Sequence, residues 1–473
     1  MCAANMSRSV RLLDCVERNM RTRCSSPRDH LPLHPSWDAG ARVLPALVGL
    51  VACLSLAVGL MCASAASAEV GSILSTPQGD LWFTDPAANE IGEIRPDATV
   101  SWFKTSIAGD ERDVLSLGPG GGIWFTETTA RKVGHITPAG ALTEFTVPLP
   151  PAHPSSTGPF GFGPPLGSSE LPGPGSITAG PDGNIWFTNG GSDVGVSGVY
   201  GGQIDRITPT GAVSEYQIPS PNSQPDDLVA GPDGNLWFTE STVHGGVIGR
   251  VTPGGTITTF VLPEGHEQVS ETFGIAVGGD DALWFADQLR GPEPWTSRIG
   301  RITPAGDISY FAIPTPEVQA DDIALGADGD MWFTAGGSSR QRPGSASGAE
   351  IGRITSDGHV SEFAVDGEPN EIVRGPQNDM LFTSFTATEN KIGRITTSGK
   401  VSEIALPSLD SCFVPRLAGQ TPRAAEQRLR RAHCVLGKIT RPTGGTRKPV
   451  VVNQRPSPET TLPRGSRVAI QLG

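Results

Sequence analysis

The sequence contains few charged residues, and it has no excess of basic ones. Charged residues make up 18% of its 473 residues, with 36 Lys and Arg against 49 Asp and Glu and a formal charge of -13. Binding to nucleic acid requires a basic surface that neutralises phosphate groups. The composition therefore argues against a nucleic-acid partner.

The chain is also poor in segments that favour long helices. Glycine and proline, with 60 and 42 copies, make up about a fifth of the residues and follow no collagen period. Such a composition indicates many short elements joined by tight turns. Long helices are therefore largely excluded.

The first 68 residues are predicted to be a leader. Residues 1–42 are basic, an apolar run follows at residues 43–63, and the segment ends in Ala66-Ser67-Ala68, small residues that suit a signal peptidase. The run is also long enough to span a bilayer. The sequence thus predicts an exported, extracellular or cell-envelope protein, and the alternative is a membrane anchor formed by residues 43–63.

Charge divides the rest of the chain into two parts. Residues 69–408 carry 17 basic and 42 acidic side chains, whereas residues 409–473 carry 12 basic and three acidic ones. Only Cys412 and Cys434, both in the basic part, follow the leader. Two thiols in an exported protein predict one disulfide between them.

The acidic part repeats one unit seven times. A clear copy reads DDLVAGPDGNLWFTE followed by VIGRVTPGGTITTFVLP, and Leu381 takes the tryptophan position of the seventh copy. Each copy has short, alternating, β-rich segments and turn residues, as in a four-stranded propeller blade. We predict an all-β fold, a seven-bladed β-propeller over residues 69–408. The structural tryptophans of the other six blades are Trp82, Trp124, Trp186, Trp237, Trp284 and Trp332.

Long insertions are predicted on one face of this ring. In an up-and-down blade the connections between strands 1 and 2 and between strands 3 and 4 share a face. The insertions at residues 149–172, 189–202, 287–297 and 335–349 all fall in the other connections, where loops on a rigid scaffold usually carry recognition. Acidic residues open the inner strands on that face: Asp113, Asp226, Asp227, Asp321, Asp322, Glu368 and Glu371. They indicate either a site for a divalent cation or a cationic ligand, or simply solvated acidic loops.

The GPDGNLWFTE, IGRITP and EFxLP frame resembles the virginiamycin B lyase (streptogramin lyase) family of seven-bladed propellers. The resemblance implies a magnesium-assisted C–O elimination that opens the lactone of streptogramin B antibiotics. It also implies a histidine opening the sixth inner strand, a Glu-Pro-His opening the seventh, and a late glutamate after the seventh Trp-Phe-Ala. A base and metal-holding carboxylates are what this elimination needs.

Most of these residues differ in this sequence. The sixth-strand histidine falls at Asp321, the Glu-Pro-His becomes Glu368-Pro369-Asn370, and the late glutamate falls near Phe385. The catalytic candidates that remain are Glu368 and Asp321, and the candidate ligands for a possible magnesium ion are Glu368, Asp321 and Asp322. Because no histidine stands where the family places its base, lyase activity by the family's mechanism is not expected.

The basic tail, residues 409–473, has the pattern VPxLxGxT, AxxxLxxAxCxLGK and QxPxPxTxLPxGSxV. Thr421 is a predicted helix N-cap followed by Pro422, and two or three strands are expected after the helix. The pattern resembles a PASTA domain, a small α+β module often associated with peptidoglycan. The resemblance implies peptidoglycan or another cell-wall polymer as a partner, and a role as spacer or as docking unit for the acidic propeller is the alternative.

These observations give three hypotheses of function. The first is an exported binding protein that holds an unknown small molecule or protein on Asp113, Asp226, Asp227 and Glu371 and is directed to the envelope by the PASTA module. The second is a magnesium-dependent C–O lyase acting on cyclic depsipeptide lactones. The third is a protein-interaction scaffold without a small-molecule site, because the fold alone does not decide function.

Overall fold

The computed structural model describes most of the chain beyond the leader. The described residues are 70–86, 88–97, 99–105, 114–150, 173–190, 202–220, 223–242, 245–263, 269–291, 296–337, 348–386, 390–404, 411–432, 434–441, 449–458, 460–463 and 465–473. The predicted leader with its apolar run 43–63 and Asp113 lie outside them. Within these ranges, no helix combines the length and the apolar character needed to cross a membrane.

Seven four-stranded antiparallel sheets follow one another along the chain, each with its strands in sequence order. Blades 1 to 4 comprise β1 Ile73–Ser75, β2 Leu81–Asp85, β3 Glu90–Ile94, β4 Val100–Lys104; β5 Leu115–Leu117, β6 Ile123–Glu127, β7 Lys132–Ile136, β8 Leu142–Thr146; β9 Pro174–Ala179, β10 Ile185–Asn189, β11 Gln203–Ile207, β12 Val213–Gln217; β13 Gln224–Ala230, β14 Leu236–Thr242, β15 Gly245–Val251, β16 Ile257–Val261. Blades 5 to 7 comprise β17 Val269–Val277, β18 Leu283–Arg290, β19 Thr296–Ile302, β20 Ile308–Ala312; β21 Val318–Leu325, β22 Met331–Gly337, β23 Glu350–Ile354, β24 Val360–Ala364; β25 Glu368–Arg374, β26 Asp379–Phe385, β27 Asn390–Thr396, β28 Val401–Ile404. The predicted all-β propeller is confirmed.

The first strands of the blades form a closed ring. Each inner strand contacts the inner strand of the next blade, and β25 of blade 7 returns to β1 of blade 1. The small residues of these strands let seven sheets converge on one axis. The ring therefore surrounds a central channel lined by inner-strand side chains.

Adjacent blades share apolar cores that join a tryptophan to a phenylalanine. Trp186 of blade 3 packs in one buried cluster with Phe238 of blade 4, and Trp237 packs in the next cluster with Phe285. In the last cluster Leu381 of blade 7 takes the tryptophan's place against Phe83 of blade 1. Because each wedge is filled from both sides, no blade can bury its own apolar residues alone.

The C-terminal module is a small α+β unit. It contains β29 Ser411–Phe413, the helix α1 Pro422–Arg431, β30 Val435–Thr440, β31 Val451–Arg455, β32 Thr461–Pro463 and β33 Arg467–Leu472. Thr421 caps the helix by accepting a hydrogen bond from the Ala424 amide. Its core contains Cys412 and Cys434, which are joined in a disulfide.

Four strands follow the helix where the sequence predicted two or three. The strands β30, β33 and β31 form one sheet, whereas β32 pairs back with β29 before the helix. Thr461–Pro463 is only three residues long. A strand so short carries no alternation that its sequence could reveal.

Candidate functional site

The two faces of the ring differ in their connections. One face, here called the turn face, carries the short turns between strands 1 and 2 and between strands 3 and 4 of each blade. The other, the insertion face, carries the remaining connections, and these include the long stretches between β8 and β9, β10 and β11, and β22 and β23. The insertion predicted at residues 287–297 is wrong, because β18 extends to Arg290 and β19 begins at Thr296, so that only residues 291–295 connect them. The elaborated loops thus share one face, as the repeat pattern predicted.

Three inner-strand carboxylates occupy the same repeat position below the insertion face. Asp227 accepts hydrogen bonds from the Ser176 hydroxyl of blade 3 at 2.6 Å and from the Ile275 amide of blade 5 at 2.8 Å. Asp322 of blade 6 accepts one from the Ile372 amide of blade 7 at 2.7 Å. These side chains therefore bridge neighbouring blades across the channel wall.

Glu371 makes the bridge that closes the ring. Its two carboxylate oxygens accept hydrogen bonds from the Ser72 hydroxyl at 2.9 Å and from the Ile73 amide at 2.5 Å, joining blade 7 to blade 1. The Ser72 hydroxyl oxygen in turn accepts a hydrogen bond from the Leu115 amide of blade 2 at 3.3 Å. A chain of hydrogen bonds thus runs through the inner strands of three consecutive blades.

Burial raises the pKa of all three bridging carboxylates. The pKa of Glu371 rises to about 7 through desolvation, with Asp227 adding like-charge repulsion. Desolvation also raises the pKa of Asp227, and it raises that of Asp322 well above its ordinary value with help from the charges of Asp227 and Glu371. Water can touch these side chains in the channel, but the surrounding strands desolvate them. Repulsion by the charge of Asp227 thus adds to the effect of burial at both Glu371 and Asp322.

The predicted ligand-binding residues have different surroundings. Asp226 is exposed, whereas its neighbour Asp227 and Glu371 are engaged in the channel wall. Asp113 lies outside the described residues. The assignment of a ligand to these four residues stays a prediction, and Asp226 is the one described side chain of the set that is exposed to solvent.

The two catalytic candidates lie on neighbouring inner strands. Glu368 is the first residue of β25, and Asp321 lies on β21, which contacts β25. The carboxylate of Asp321 accepts a hydrogen bond from Gln288 Nε2 at 2.9 Å, and Gln288 is itself buried. The residue paired directly with Glu368 on the adjoining strand is Phe385. An aromatic residue is therefore paired with Glu368, near the position where the resemblance implied a second carboxylate.

The described residues do not provide a ligand set for magnesium. Among them, no group of three or more His, Cys, Asp or Glu side chains lies close enough together to hold a metal ion. Both oxygens of Asp322 accept backbone amides, from Ile323 and Ile372. Magnesium needs oxygen ligands in near-octahedral geometry. The side chain of Phe385 offers no oxygen ligand near the position where the resemblance implied a carboxylate. The candidates Glu368, Asp321 and Asp322 thus do not assemble a metal centre in the described part of the chain.

Sequence reasoning missed a buried polar cluster in blade 3. Asp205 is fully buried and accepts hydrogen bonds from Asn189 Nδ2 at 2.7 Å and from Gln203 Nε2 at 3.1 Å. Desolvation raises its pKa to about 7. The signal was present, because Asp205 replaces the glycine that the other six copies have at this position, in IGR or in its variants IGE and VGH.

Comparison with known proteins identifies two families along this chain. The sequence model of the virginiamycin B lyase family matches residues 51–159 and 166–346, and that of the PASTA domain matches residues 413–473. No curated protein matches the chain.

Three solved structures are similar to the propeller. Virginiamycin B lyase from Staphylococcus aureus is 32% identical, with a TM-score of 0.53 over 69% of this chain and 94% of that one. A catalytically inactive histidine-to-alanine variant of the Staphylococcus aureus lyase, with quinupristin, is 31% identical, with a TM-score of 0.53 over 70% and 96%. A streptogramin B lyase structure is 29% identical, with a TM-score of 0.52 over 72% and 95%.

Proposed function

Because the chain belongs to the virginiamycin B lyase family, we propose that it is an exported binding protein that holds a small ligand on the insertion face without cleaving it. The PASTA module retains it at the cell envelope, with peptidoglycan or another wall polymer as the partner. The ligand class that the family suggests is the streptogramin B type of cyclic depsipeptide.

The observation that carries this proposal is the replacement of the family's acting residues. Asp321 and Asn370 stand where the family has histidines, and Phe385 lies opposite the retained Glu368. A carboxylate is a weaker base than an imidazole for removing a carbon-bound proton at neutral pH. The chain therefore keeps the scaffold of the site and lacks the groups that would move the proton.

Binding without cleavage is consistent with one of the similar structures. The Staphylococcus aureus variant that lacks a single histidine is catalytically inactive, and its structure is one with quinupristin. Loss of a histidine in this fold is thus compatible with ligand occupancy. We extend this to the present chain, in which two histidine positions carry Asp321 and Asn370.

The test is a titration of residues 69–473 with quinupristin by calorimetry, followed by mass spectrometry of the recovered compound. We expect saturable binding and an intact lactone. A matched variant restores the family residues by Asp321→His, Asn370→His and Phe385→Glu together, and it should gain magnesium-dependent ring opening. If the unmodified chain binds no quinupristin, the proposed ligand class is wrong.

The second candidate is a magnesium-dependent C–O lyase that opens the lactone of streptogramin B-type depsipeptides. Retention of Glu368 favours it, with Asp321 on the neighbouring strand as the second acting residue. Ring opening by the unmodified chain that disappears in Glu368→Ala, in Asp321→Ala and on removal of magnesium would establish this activity and overturn the first proposal. Calorimetry with magnesium and with calcium, on the unmodified chain and on a variant that carries both Glu368→Ala and Asp321→Ala, tests the metal separately.

A further inference from the structure

Four consecutive blades share one cationic arrangement on the turn face. In each, an arginine of the third strand lies over the blade's tryptophan, with 5.4 to 5.9 Å between guanidinium carbon and ring centroid. The arginine also pairs with an aspartate of the first turn, which accepts the tryptophan Nε1 hydrogen bond. The arginines are Arg206, Arg250, Arg301 and Arg353. In each of these four blades, the aspartate of the first turn is therefore neutralised by the arginine of the third strand.

Blade 1 reverses the charge at this position. Glu93 pairs directly with Trp82 across the strands, just as Arg206 pairs with Trp186. Glu93 is buried, and desolvation raises its pKa, with the charge of Asp80 adding to the rise. Arg95 reaches it from the rim at 2.9 Å. Blade 1 thus presents Asp80, Glu93 and Asp97 on the turn face, where blades 3 to 6 present arginine and blade 2 presents His135.

The missing arginine leaves a cavity between blades 1 and 2. In blades 3 and 4 the arginine spans the wedge and donates to a carbonyl of the next blade, from Arg206 to Pro253 at 3.2 Å and from Arg250 to Pro304 at 3.1 Å. The corresponding space beside Glu93 is a cavity of about 870 Å³. Its walls include Trp82, Asp80 and the turn at residues 137–140, which are the counterparts of the groups that hold arginine elsewhere.

The helix of the C-terminal module lies against this part of blade 1. Arg428 donates to the Asp97 carboxylate at 2.7 Å, and α1 contacts β4. Arg430, in the last turn of the same helix, lines the cavity. Arg428 therefore binds an acid of the one described blade that has a glutamate at the arginine position, whereas Arg430 lines the cavity while it pairs with Glu426 of its own helix at 2.8 Å.

We propose that α1 docks in cis on blade 1 through Arg428 on Asp97 and Arg430 at the cavity, and thereby fixes the PASTA module on the turn face. The occupant of this surface is the chain's own basic helix, because residues 409–473 carry 12 basic and three acidic side chains and the surface beneath them is acidic. Opposite charges at short range orient the two modules as well as attracting them.

The docking has a consequence for the proposed function, on which this step rests. Asp97 lies in the turn between β3 and β4, so the PASTA module sits opposite the insertion face. A wall polymer bound by the module would then lie on the turn-face side of the ring. The insertion face would remain open toward ligands that arrive from solvent.

A zero-length cross-link tests the docking on residues 69–473. Arg428→Lys keeps the charge and adds an amine that a carbodiimide can join to a carboxylate in contact with it. We expect a cross-linked peptide joining Lys at 428 to Asp97, and its loss when Asp97→Ala is added. The matched control is Arg423→Lys, because Arg423 is an exposed arginine of the same helix. A chain with native circular dichroism that gives no 97–428 link, or that links 97 to 423 as readily, would overturn the proposal.

Small-angle scattering of the same chain gives a second readout. Asp97→Arg should release the module and increase the maximum dimension, and the charge swap Asp97→Arg with Arg428→Asp should return it to the starting value. Unchanged scattering in the single variant would also overturn the docking. Neither experiment involves a ligand, so a failure here is distinct from a failure to bind quinupristin.

Discussion

The bridging carboxylates show how one residue type can close a ring. Glu371 and Ser72 are separated by 299 positions, yet their hydrogen bond joins the last blade to the first. Hydrogen bonds to a charged carboxylate are stronger than hydrogen bonds to a neutral acceptor. Its sequence context, an acid opening an inner strand, is the same for a ligand-binding side chain, so the sequence alone could not separate the two roles.

The same ambiguity explains why the candidate site was only partly predictable. The positions of Glu368, Asp321 and Phe385 followed from the repeat frame, and their strands are where the frame placed them. The contacts of these residues depend on partners from other blades, such as Gln288 beside Asp321. Such long-range partners have no local pattern, so no sequence window contains them.

Asp205 provides a residue-scale prediction on pH. Its pKa is about 7 in the folded chain against 3.8 for the ordinary group, so the folded state binds the proton more tightly. Stability from this group is therefore fully present below about pH 4 and is lost as the pH rises towards 7. We expect Asp205→Asn to raise the free energy of unfolding by up to about 4 kcal/mol at pH 8 and to change it little at pH 4.

The measurement is urea unfolding of both proteins at the two pH values. An asparagine at 205 also offers an amide hydrogen to Asn189 Oδ1, a buried acceptor that has no partner among the described residues. The control is Asp366→Asn, whose side chain is 82% exposed and which should show no such pH-dependent gain. If Asp205→Asn and the unmodified protein had the same free energy of unfolding at pH 8, the buried Asp205 carboxylate would not be destabilising and the prediction would be wrong.

At the scale of the strand, the seven copies made the fold predictable. Each local feature, such as the turn before β14 or the Trp-Phe pair within it, is present in several copies, and agreement among copies identifies the second strand of each blade. The first and last residues of the inner strands were harder to predict from the sequence. In the copy DDLVAGPDGNLWFTE only the four residues LVAG have the pattern of a strand, whereas β13 runs Gln224–Ala230 with a bulge between Pro225 and Leu228. A bulge interrupts the alternation from which strand length is inferred.

The glycine of the IGR motif gives a prediction for the blade. Gly249 lies across from Phe238, and a Cβ atom there would overlap the phenylalanine ring. We expect Gly249→Ala to lower the free energy of unfolding by about 1–3 kcal/mol, because the ring must leave its buried position. Blade 3 carries Asp205 at this position, but it has Asn189 and Gln203 to bind that side chain.

A second glycine of the same blade is the matched control. A Cβ added at Gly254 would meet nothing nearer than Thr252 Oγ1 at 3.7 Å, an ordinary contact. Gly254→Ala should therefore be neutral or slightly stabilising, since it lowers the entropy of the unfolded chain. Thermal and urea unfolding of both variants check the pair, and similar destabilisation by the two substitutions would count against the steric explanation.

At the scale of the whole molecule, the modules differ in how they are stabilised. The propeller has shared cores in every wedge and a ring closed by Glu371, so it should unfold as one unit. The tail has a single small core and the Cys412–Cys434 disulfide. The sequence predicted both modules and gave docking on the propeller as one alternative for the tail, but it could not locate the contact, because Arg428 and Asp97 are 331 positions apart.

This difference predicts separate responses to a reducing agent. The disulfide closes a loop with a sequence separation of 22, and in the chain-entropy model it stabilises the module by roughly 3 kcal/mol. A core this small has little stability to spare, so reduction should lower the melting temperature of the module. The propeller has no cysteine among its described residues and should be unaffected.

Two spectroscopic signals separate these transitions in residues 69–473, because all tryptophans after the leader precede residue 333 and the helix α1 lies in the tail. Tryptophan fluorescence therefore reports on the propeller, whereas helical circular dichroism reports on the module. We expect a reductant to shift the second signal to lower temperature and to leave the first unchanged, with a Cys412→Ser, Cys434→Ser variant behaving like the reduced chain. A parallel shift of the fluorescence transition would instead show that the docked module stabilises the propeller, and the two would then have to be treated as a single cooperative unit.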